Sequence, residues 1–234
     1  MLVFTTFGDS LRYSQALRLI SEEAQKMAVF DVIAPYTEKN LDPAWINKHL
    51  PFITSNPRGF GYWMWKPQVI KQVFEQLQND DIVVYADSGC RLNVEGKKRL
   101  LEYVQMTKDS EFGNVSFDLG YPEKHWTKGN VLDQFKHIIS ADSTQINATA
   151  FIIRKCDFTV KLINEWSDLC NVYSNIDDSP GINNDKEFKE HRHDQSVWSC
   201  LRKARGTVTL PDETWFPDFE NNKDKPIHAL RRRW

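Results

Sequence analysis

Short apolar runs alternate along the chain with longer segments whose apolar residues recur every three or four positions. Residues 2–7 (LVFTTF) and 29–36 (VFDVIAPY) have the composition of strands. The segment between them has a helical spacing of apolar residues at Leu11, Ala16, Leu17 and Ile20. This strand, helix, strand order predicts two parallel strands joined by a right-handed crossover.

The alternation continues to the carboxyl end. The run IVVY (82–85) is apolar without alternation, which predicts a strand buried on both faces of a sheet. Further strands are expected at 114–120 and 146–155, and further helices at 67–77, 94–109, 128–139, 156–173 and 193–204. Residues 37–62 and 174–193 look irregular. The fold class predicted from this pattern is α/β, with a central sheet, mostly parallel or mixed, flanked by helices.

Composition narrows the function classes. The chain has 234 residues and a formal net charge of -2, so no global charge favours a nucleic-acid or membrane-surface partner. The four cysteines contain no C-x-x-C pair, and no run approaches the roughly 18 apolar residues of a membrane span. We therefore expect one domain over residues 1–234, without a membrane span, in the reducing cytoplasm.

A carboxylate ends the buried run, because Asp87 follows Tyr85 and Ala86 directly. It either caps the turn that leaves the sheet or belongs to a metal or phosphate site. Ligands of open α/β sheets bind at the carboxyl ends of the strands, which is where Asp87 stands.

Five segments in one order resemble glycosyltransferases of the GT-A fold, over nearly the whole chain. They are GYWMWKP (61–67), the strand ending in Asp87-Ser88-Gly89, INATAFIIRK (146–155), the stretch HRHDQS (191–196), and a basic tail containing His228. The likeness is to small glycosyltransferase domains of large DNA viruses and bacterial polysaccharide clusters, which carry WKP, Y-x-DSG, WTK and HRHDQS signatures. It implies a GT-A-like, Rossmann-like domain that transfers a hexosyl unit from a nucleoside-diphosphate sugar, most simply UDP-linked, to a glycan or another hydroxyl acceptor.

The resemblance also implies a divalent cation, Mn²⁺ or Mg²⁺, held by Asp87 and His228. The family's usual motif is Asp-x-Asp, and here position 89 is glycine. Imidazole as a ligand favours manganese over magnesium. The neighbouring Arg231, Arg232 and Arg233 would bind the diphosphate, although a basic tail is also a common solubilising end.

Other positions receive roles from the same resemblance. Asp194 and Gln195 would act at the reacting sugar, while Asp194 could instead be a helix N-cap. Contacts to the donor sugar or phosphate are implied for Lys66, Asn147 and Ala148. The nucleoside would lie against the ends of the first two strands, at Thr5, Thr6, Phe7 and Tyr36. The acceptor would meet Lys128 and Asp133.

Three other classes compete with this reading. A sugar-phosphate nucleotidyltransferase would carry a glycine-rich basic loop after the first strand, where the chain has GDSLRY. A carbohydrate-binding module could use the eight tryptophans as platforms, but it leaves Asp87 and Asp194 without a role. A dinucleotide-dependent dehydrogenase is disfavoured because no G-x-G-x-x-G follows the first strand.

Overall fold

A computed structural model describes residues 1–232 of the chain. The strands are β1 (Leu2–Phe7), β2 (Val32–Tyr36), β3 (Ile82–Ala86), β4 (Arg91–Leu92), β5 (Asn114–Pro122), β6 (Thr144–Ile146), β7 (Ala150–Arg154), β8 (Val208–Pro211) and β9 (Ile227–His228). The helices are α1 (Ser14–Met27), α2 (Pro43–Ser55), α4 (Lys66–Glu75), α5 (Lys97–Asp109), α6 (Glu123–Trp126), α7 (Gly129–Phe135), α8 (Asp157–Asn171) and α9 (Asp194–Arg205), and a short turn, α3 (Gly59–Tyr62), precedes α4. Short 3₁₀ turns occupy Val94–Gly96, Tyr173–Asn175 and Glu220–Asn222.

Seven of these strands form one mixed sheet in the order β2-β1-β3-β7-β5-β6, with β8 paired to β5. β1 is parallel to both β2 and β3, as the strand, helix, strand pattern predicts. β7 is antiparallel to β3 and to β5, so β5 runs in the same direction as β3. β8 is parallel to β5, and β6 is antiparallel to it. The predicted α/β class with a mixed sheet is confirmed.

These directions bring many chain segments to one edge of the sheet. The carboxyl ends of β1, β2, β3, β5 and β8 lie there, together with the 147–149 connection between β6 and β7. We call this the carboxyl edge. Backbone connections at this edge are the natural place for a ligand, because each strand end can present a side chain without interrupting the sheet.

The core lies on both faces of the sheet. Successive residues of a strand point to opposite faces, so Val3 packs with α4, α8 and α9, whereas Phe4 packs with α1 and α5. Every residue of β3 is buried, which explains its apolar run without alternation. Within residues 1–232, no helix is long and apolar enough to cross a bilayer.

The structure differs from the predicted elements in two places that matter for the site. Residues 37–62 contain a helix, α2, which begins where Asp42 accepts a hydrogen bond from the Trp45 amide at 2.7 Å. The strand expected at 146–155 is divided into β6 and β7. The division occurs because the Asn147 side chain accepts the Thr149 amide at 2.5 Å and turns the chain.

Candidate functional site

Three charged side chains meet at the carboxyl edge beside the end of β3. The Lys66 ammonium lies 3.2 Å from Asp87 Oδ1 and 2.9 Å from Asp194 Oδ2. It also donates to the carbonyl oxygen of Ala148 at 3.0 Å. The side chains of Lys66 and Asp194 are almost completely buried, whereas that of Asp87 is 28% exposed. The Lys66–Asp87–Asp194 cluster is therefore a buried ionic centre with one side open to solvent.

The cluster contains two carboxylates and one ammonium, which is costly in a buried site. Burial raises the pKa of Asp194 to about 6, although the ammonium of Lys66 opposes this shift. Burial alone would lower the pKa of Lys66, but the carboxylates of Asp194 and Asp87 raise it above its ordinary value. The centre lacks one positive charge, so it suits a ligand that donates hydrogen bonds or carries a cation.

Tyr85 completes the cluster and was not predicted from the sequence. Its hydroxyl donates to Asp87 Oδ1 at 2.6 Å, and burial together with Asp87 raises the pKa of Tyr85 well above its ordinary value. The feature of the sequence that could have identified Tyr85 is its i, i+2 spacing from Asp87, since alternate positions along a strand lie on the same face. The hydrogen bonds of the Asp87 carboxylate come from side chains, which does not support the alternative that it caps the turn.

Lys66 reaches this position through an unusual turn. Five consecutive residues have positive φ, between +54° and +80°: Gly59, Phe60, Gly61, Tyr62 and Trp63. They form a short left-handed turn, and three of them are not glycine, which costs roughly 1–2 kcal/mol for each residue. Trp65 follows, stacks on Phe7 with ring centres 3.9 Å apart, and so fixes the start of α4 at Lys66.

Asp194 is the first residue of α9 rather than its N-cap, because the cap position is taken by His193. His193 has φ +51°, its ring stacks on Tyr62 with centroids 4.6 Å apart, and its Nδ1 donates to the carbonyl of Ile176 at 2.7 Å. Burial lowers the pKa of His193, which keeps the imidazole neutral. The strained His193 thus aims Asp194 at Lys66.

Gln195 is held by a buried polar network. Its Nε2 donates to Gln145 Oε1 at 2.7 Å, and its Oε1 accepts the Ala148 amide at 3.3 Å. Gln145 in turn donates to the fully buried carboxylate of Glu123 at 3.2 Å, which also accepts from Lys203 at 2.7 Å. Because the Glu123 carboxylate can only accept, the Gln145 amide turns its nitrogen towards Glu123 and its oxygen towards Gln195. The Gln195 amide therefore points its nitrogen at Gln145 and its oxygen at Ala148.

The structure brings Asn147 and Ala148 to the same place. Asn147 is buried and donates to Thr214 Oγ1 at 2.9 Å, while the Ala148 carbonyl accepts from Lys66. The structure thus places Lys66, Asp87 and Asp194 beside this connection. Thr214 was missed, because it lies 67 residues from Asn147 and no local pattern points to it.

The four residues expected to contact a nucleoside are all buried. Thr5 donates to the Ala34 carbonyl at 2.8 Å, and Phe7 is covered by Trp65. Thr6 and Tyr36 also point into the protein. The expectation that these side chains contact a base is therefore not supported. Beyond the end of β1, Leu11 is 93% exposed, so this loop offers the accessible surface at this part of the edge.

The carboxyl-terminal tail lies against the residues that follow Asp87. β9 pairs with β4, which places His228 opposite Arg91, and the amide of Arg232 donates to the Gly89 carbonyl at 2.9 Å. A Cβ atom at Gly89 would lie 3.1 Å from the Arg232 carbonyl oxygen. The tail thus occupies the space where the second acid of an Asp-x-Asp motif would project.

The arginines of the tail do not have equal freedom. Arg232 forms a bidentate ion pair with Glu23, with both distances 2.8 Å, and also donates to the Cys90 carbonyl. This pairing corrects the expectation that its guanidinium is available to a diphosphate. Arg231 is exposed. Arg233 lies outside the described residues.

The predicted metal ligands fit a cation in part. His228 is buried, its Nε2 donates to the Asn222 carbonyl at 3.2 Å, and its Nδ1 has no hydrogen-bond partner among residues 1–232. Burial lowers the pKa of His228, so the imidazole is neutral and Nδ1 carries a lone pair. The contacts described for the Asp87 carboxylate fall on Oδ1, which leaves Oδ2 for a ligand. Across the described residues, however, no three His, Cys, Asp or Glu side chains gather as a metal site.

The two residues expected to meet an acceptor instead hold the long 174–193 loop. The Lys128 ammonium is buried and lies 2.9 Å from Asp177 Oδ1, and Asp133 accepts from Asn183 at 2.9 Å. Lys128 is thus an anchor of the loop, which corrects the expectation that its ammonium faces a ligand. Asp177 and Asn183 lie about 50 positions from the residues that they contact, so no local sequence pattern predicts these contacts.

Glycosyltransferases are among the solved structures to which this chain is similar. One is a glycosyltransferase involved in the glycosylation of the major capsid of PBCV-1, with TM-score 0.54 and 11% identity over 97% of this chain and 91% of that chain. The galactosyltransferase LgtC, solved with donor and acceptor sugar analogues, has TM-score 0.49 and 10% identity over 97% of this chain and 86% of that one. Mouse xyloside xylosyltransferase 1 has TM-score 0.46 and 9% identity over 94% and 89%.

No protein-family model matches the sequence, and no curated protein does. At 11% identity, the similarity to the PBCV-1 enzyme establishes a shared fold and not a shared activity. The other two structures are less similar to this chain, with TM-scores below 0.5. The chain therefore shares the mixed α/β, GT-A-like fold of the PBCV-1 enzyme, and the predicted fold class is confirmed.

Proposed function

We propose that residues 1–234 form a single glycosyltransferase domain that moves a hexosyl unit from a nucleoside-diphosphate sugar to a hydroxyl acceptor. The observation that carries the proposal is the Lys66–Asp87–Asp194 cluster at the carboxyl edge, within a glycosyltransferase fold. Sugar hydroxyls donate hydrogen bonds, and this cluster has an excess of acceptors. A carbohydrate-binding module would not need a buried ionic centre of this kind.

The donor would lie along the carboxyl edge, from the ends of β1 and β2 to the β6–β7 connection. In this arrangement the nucleoside, uridine in the simplest case, meets the 8–13 loop beyond Phe7, where Leu11 and Arg12 are exposed. The sugar lies over Asp87, Ala148 and Asp194. Arg231 and Arg233 provide positive charge for the diphosphate, which becomes the leaving group when the anomeric C–O bond breaks.

Asp194 and Gln195 would act on the sugar itself. With a pKa of about 6, Asp194 is ionised near neutral pH and can accept a hydrogen bond from a sugar hydroxyl or a proton from the acceptor. Its burial favours the first of these roles. The Gln195 oxygen, orientated by Gln145, would stabilise positive charge developing at the anomeric carbon.

A divalent cation, manganese or magnesium, would be held by Asp87 and His228 together with diphosphate oxygens. When bound, such a cation neutralises charge on the departing diphosphate. Two protein ligands are fewer than a self-contained site needs, so the protein alone should bind Mn²⁺ weakly and the nucleotide should strengthen binding. The free thiols of Cys90, Cys156, Cys170 and Cys200 support a cytoplasmic location.

The test combines binding with turnover. Isothermal titration with UDP, GDP, ADP and CMP, each with and without Mn²⁺, should give micromolar affinity for one nucleoside diphosphate, enhanced by the metal. Release of that nucleotide from its sugar conjugates should require Lys66, so Lys66→Met should be inactive. Millimolar binding of every nucleotide, with or without metal, contradicts the proposal.

A further inference from the structure

A second concave surface lies on the same carboxyl edge, beyond β7. Asp118 of β5 stands opposite Ile146 of β6 and Pro211 of β8, so the carboxyl ends of β6 and β8 meet the middle of β5 there. They line an open surface depression of about 510 Å³, whose lining includes Asp118, Gly120, Thr144 and Asp212. The proposed donor site uses none of these residues.

The lining of this depression carries hydrogen-bond acceptors. The Asp118 carboxylate accepts from the Gly120 amide at 2.8 Å and from the Thr144 hydroxyl. Asp212 accepts from the Thr214 amide at 2.9 Å and from the Thr214 hydroxyl at 2.7 Å. A carboxylate has about four lone-pair sites, so each acid keeps acceptor capacity for a ligand. Two carboxylates side by side also repel phosphate, which disfavours nucleotides and phospholipids here.

An exposed tryptophan, Trp215, follows Asp212 by three positions in the chain. Trp215 is 50% exposed, which is unusual for a large aromatic side chain. Its position is fixed on both sides, because the Thr214 carbonyl accepts the Ala229 amide at 2.7 Å and Phe216 packs on His228. The Trp215 amide also bonds to the Asp212 carboxylate. A half-exposed indole on a fixed turn offers a flat apolar face to the C–H side of a sugar ring.

The same turn is connected directly to the proposed donor site. Asn147 donates to Thr214 Oγ1 at 2.9 Å, and the next residue, Ala148, accepts from Lys66. One buried hydrogen bond therefore separates the turn that carries Trp215 from the backbone that contacts the ionic cluster. The depression lies on the side of that cluster opposite to β1 and β2.

We propose that this surface binds the acceptor, and that the acceptor is an uncharged or amino-bearing glycan. Its sugar ring stacks on Trp215, and its hydroxyls donate to Asp118 and Asp212. The role as acceptor site rests on the proposed transferase function, but binding of a sugar at Trp215 can be measured without turnover. This assignment replaces Lys128 and Asp133, whose side chains hold the long loop.

The test measures sugar binding and nucleotide binding separately on the full chain. Saturation-transfer NMR with methyl glucosides, galactosides, mannosides and N-acetylglucosaminides identifies a bound sugar. Its affinity should fall at least about tenfold in Trp215→Ala and Asp118→Asn, and Trp215→Phe should restore most of the Trp215 loss. Ile138→Ala, which removes another exposed apolar side chain in the turn after α7, should leave the affinity for the sugar unchanged.

Nucleoside-diphosphate binding should be the same in wild type and in all four variants, which shows that they are folded. Absence of saturation transfer from every methyl glycoside, or equal binding by wild type and Trp215→Ala, overturns the assignment of the sugar site. Failure of the wild type to bind any nucleoside diphosphate instead contradicts the proposed function and leaves the sugar measurement interpretable, with circular dichroism as the check on folding.

Discussion

Replacing Asp194 by asparagine should stabilise the folded protein at neutral pH while it removes transferase activity. The buried carboxylate of Asp194 is not fully compensated, because one ammonium serves two acids in the Lys66–Asp87–Asp194 cluster. Asparagine keeps the shape of the side chain and removes the excess charge. A site that gives up stability for function has this signature.

The size of the effect follows from the pKa of Asp194, which burial raises from 3.8 to about 6. A difference of about 2 units corresponds to roughly 3 kcal/mol, at about 1.4 kcal/mol per unit. A carboxyl group with a raised pKa in the folded state binds its proton more tightly there than in the unfolded state. Folding is therefore favoured at low pH, and stability is lost as pH rises from about 4 to about 6.

The assay is urea unfolding of wild type and Asp194→Asn at several pH values between 4 and 7, in one buffer series. The variant's advantage in the free energy of unfolding should grow by about 3 kcal/mol over this range and then level off. Asp133→Asn, which removes a carboxylate at the surface, should follow the wild-type curve. An advantage for Asp194→Asn that does not change with pH would refute the reasoning, as would a decrease with rising pH.

Three further outcomes test other contacts. Lys66→Met should lower the free energy of unfolding by about 3–5 kcal/mol in urea titrations at pH 7, because it leaves the buried carboxylate of Asp194 without its charged partner; a loss below about 1 kcal/mol would mean that water compensates this carboxylate. Gln145→Leu should lower kcat about tenfold or more with little change in KM for the donor, since it frees the Gln195 amide to rotate; a change confined to KM would assign Gln195 to binding. Gly89→Leu should displace the tail, so that trypsin cleaves after Arg232 faster than it does in the wild type. Mass spectrometry of a digestion time course measures the two rates. Equal rates would show that the tail is held by β9 alone.

The sequence predicted the elements that positioned the site, but not all the side chains in it. The apolar run of β3 and the acid that follows it located the carboxyl edge, because strand ends of an α/β sheet converge there. Lys66, Asp194 and Asn147 were grouped with Asp87 through the order of motifs, and the structure brings them together. Local patterns and motif order are therefore sufficient to find an edge and its principal charges.

Predictions that depended on side-chain direction or distant partners were weaker. Phe7 was correctly placed at a strand end, but its ring points inwards to stack on Trp65, 58 positions later. Lys128 was expected to meet the acceptor, and its actual partner, Asp177, lies in a loop whose sequence has no periodicity to predict the contact. Helix α2 was missed because the prolines and glycines around residues 56–59 indicated an irregular segment, although Asp42-Pro43 is a good helix start. These contacts form only once the chain is folded.

The left-handed turn at residues 59–63 has a consequence for the order in which the protein folds. Its three non-glycine residues disfavour this backbone by several kcal/mol in total, about 1–2 kcal/mol each, so the isolated segment will not adopt it. The turn is held by Phe60 against Phe7 and by Tyr62 against His193, contacts that span 53 and 131 positions. It can form only after β1 and the start of α9 have docked. Lys66 and Asp194 should then meet in the last stage of folding, and destabilising substitutions in the turn should speed unfolding while they leave the folding rate almost unchanged.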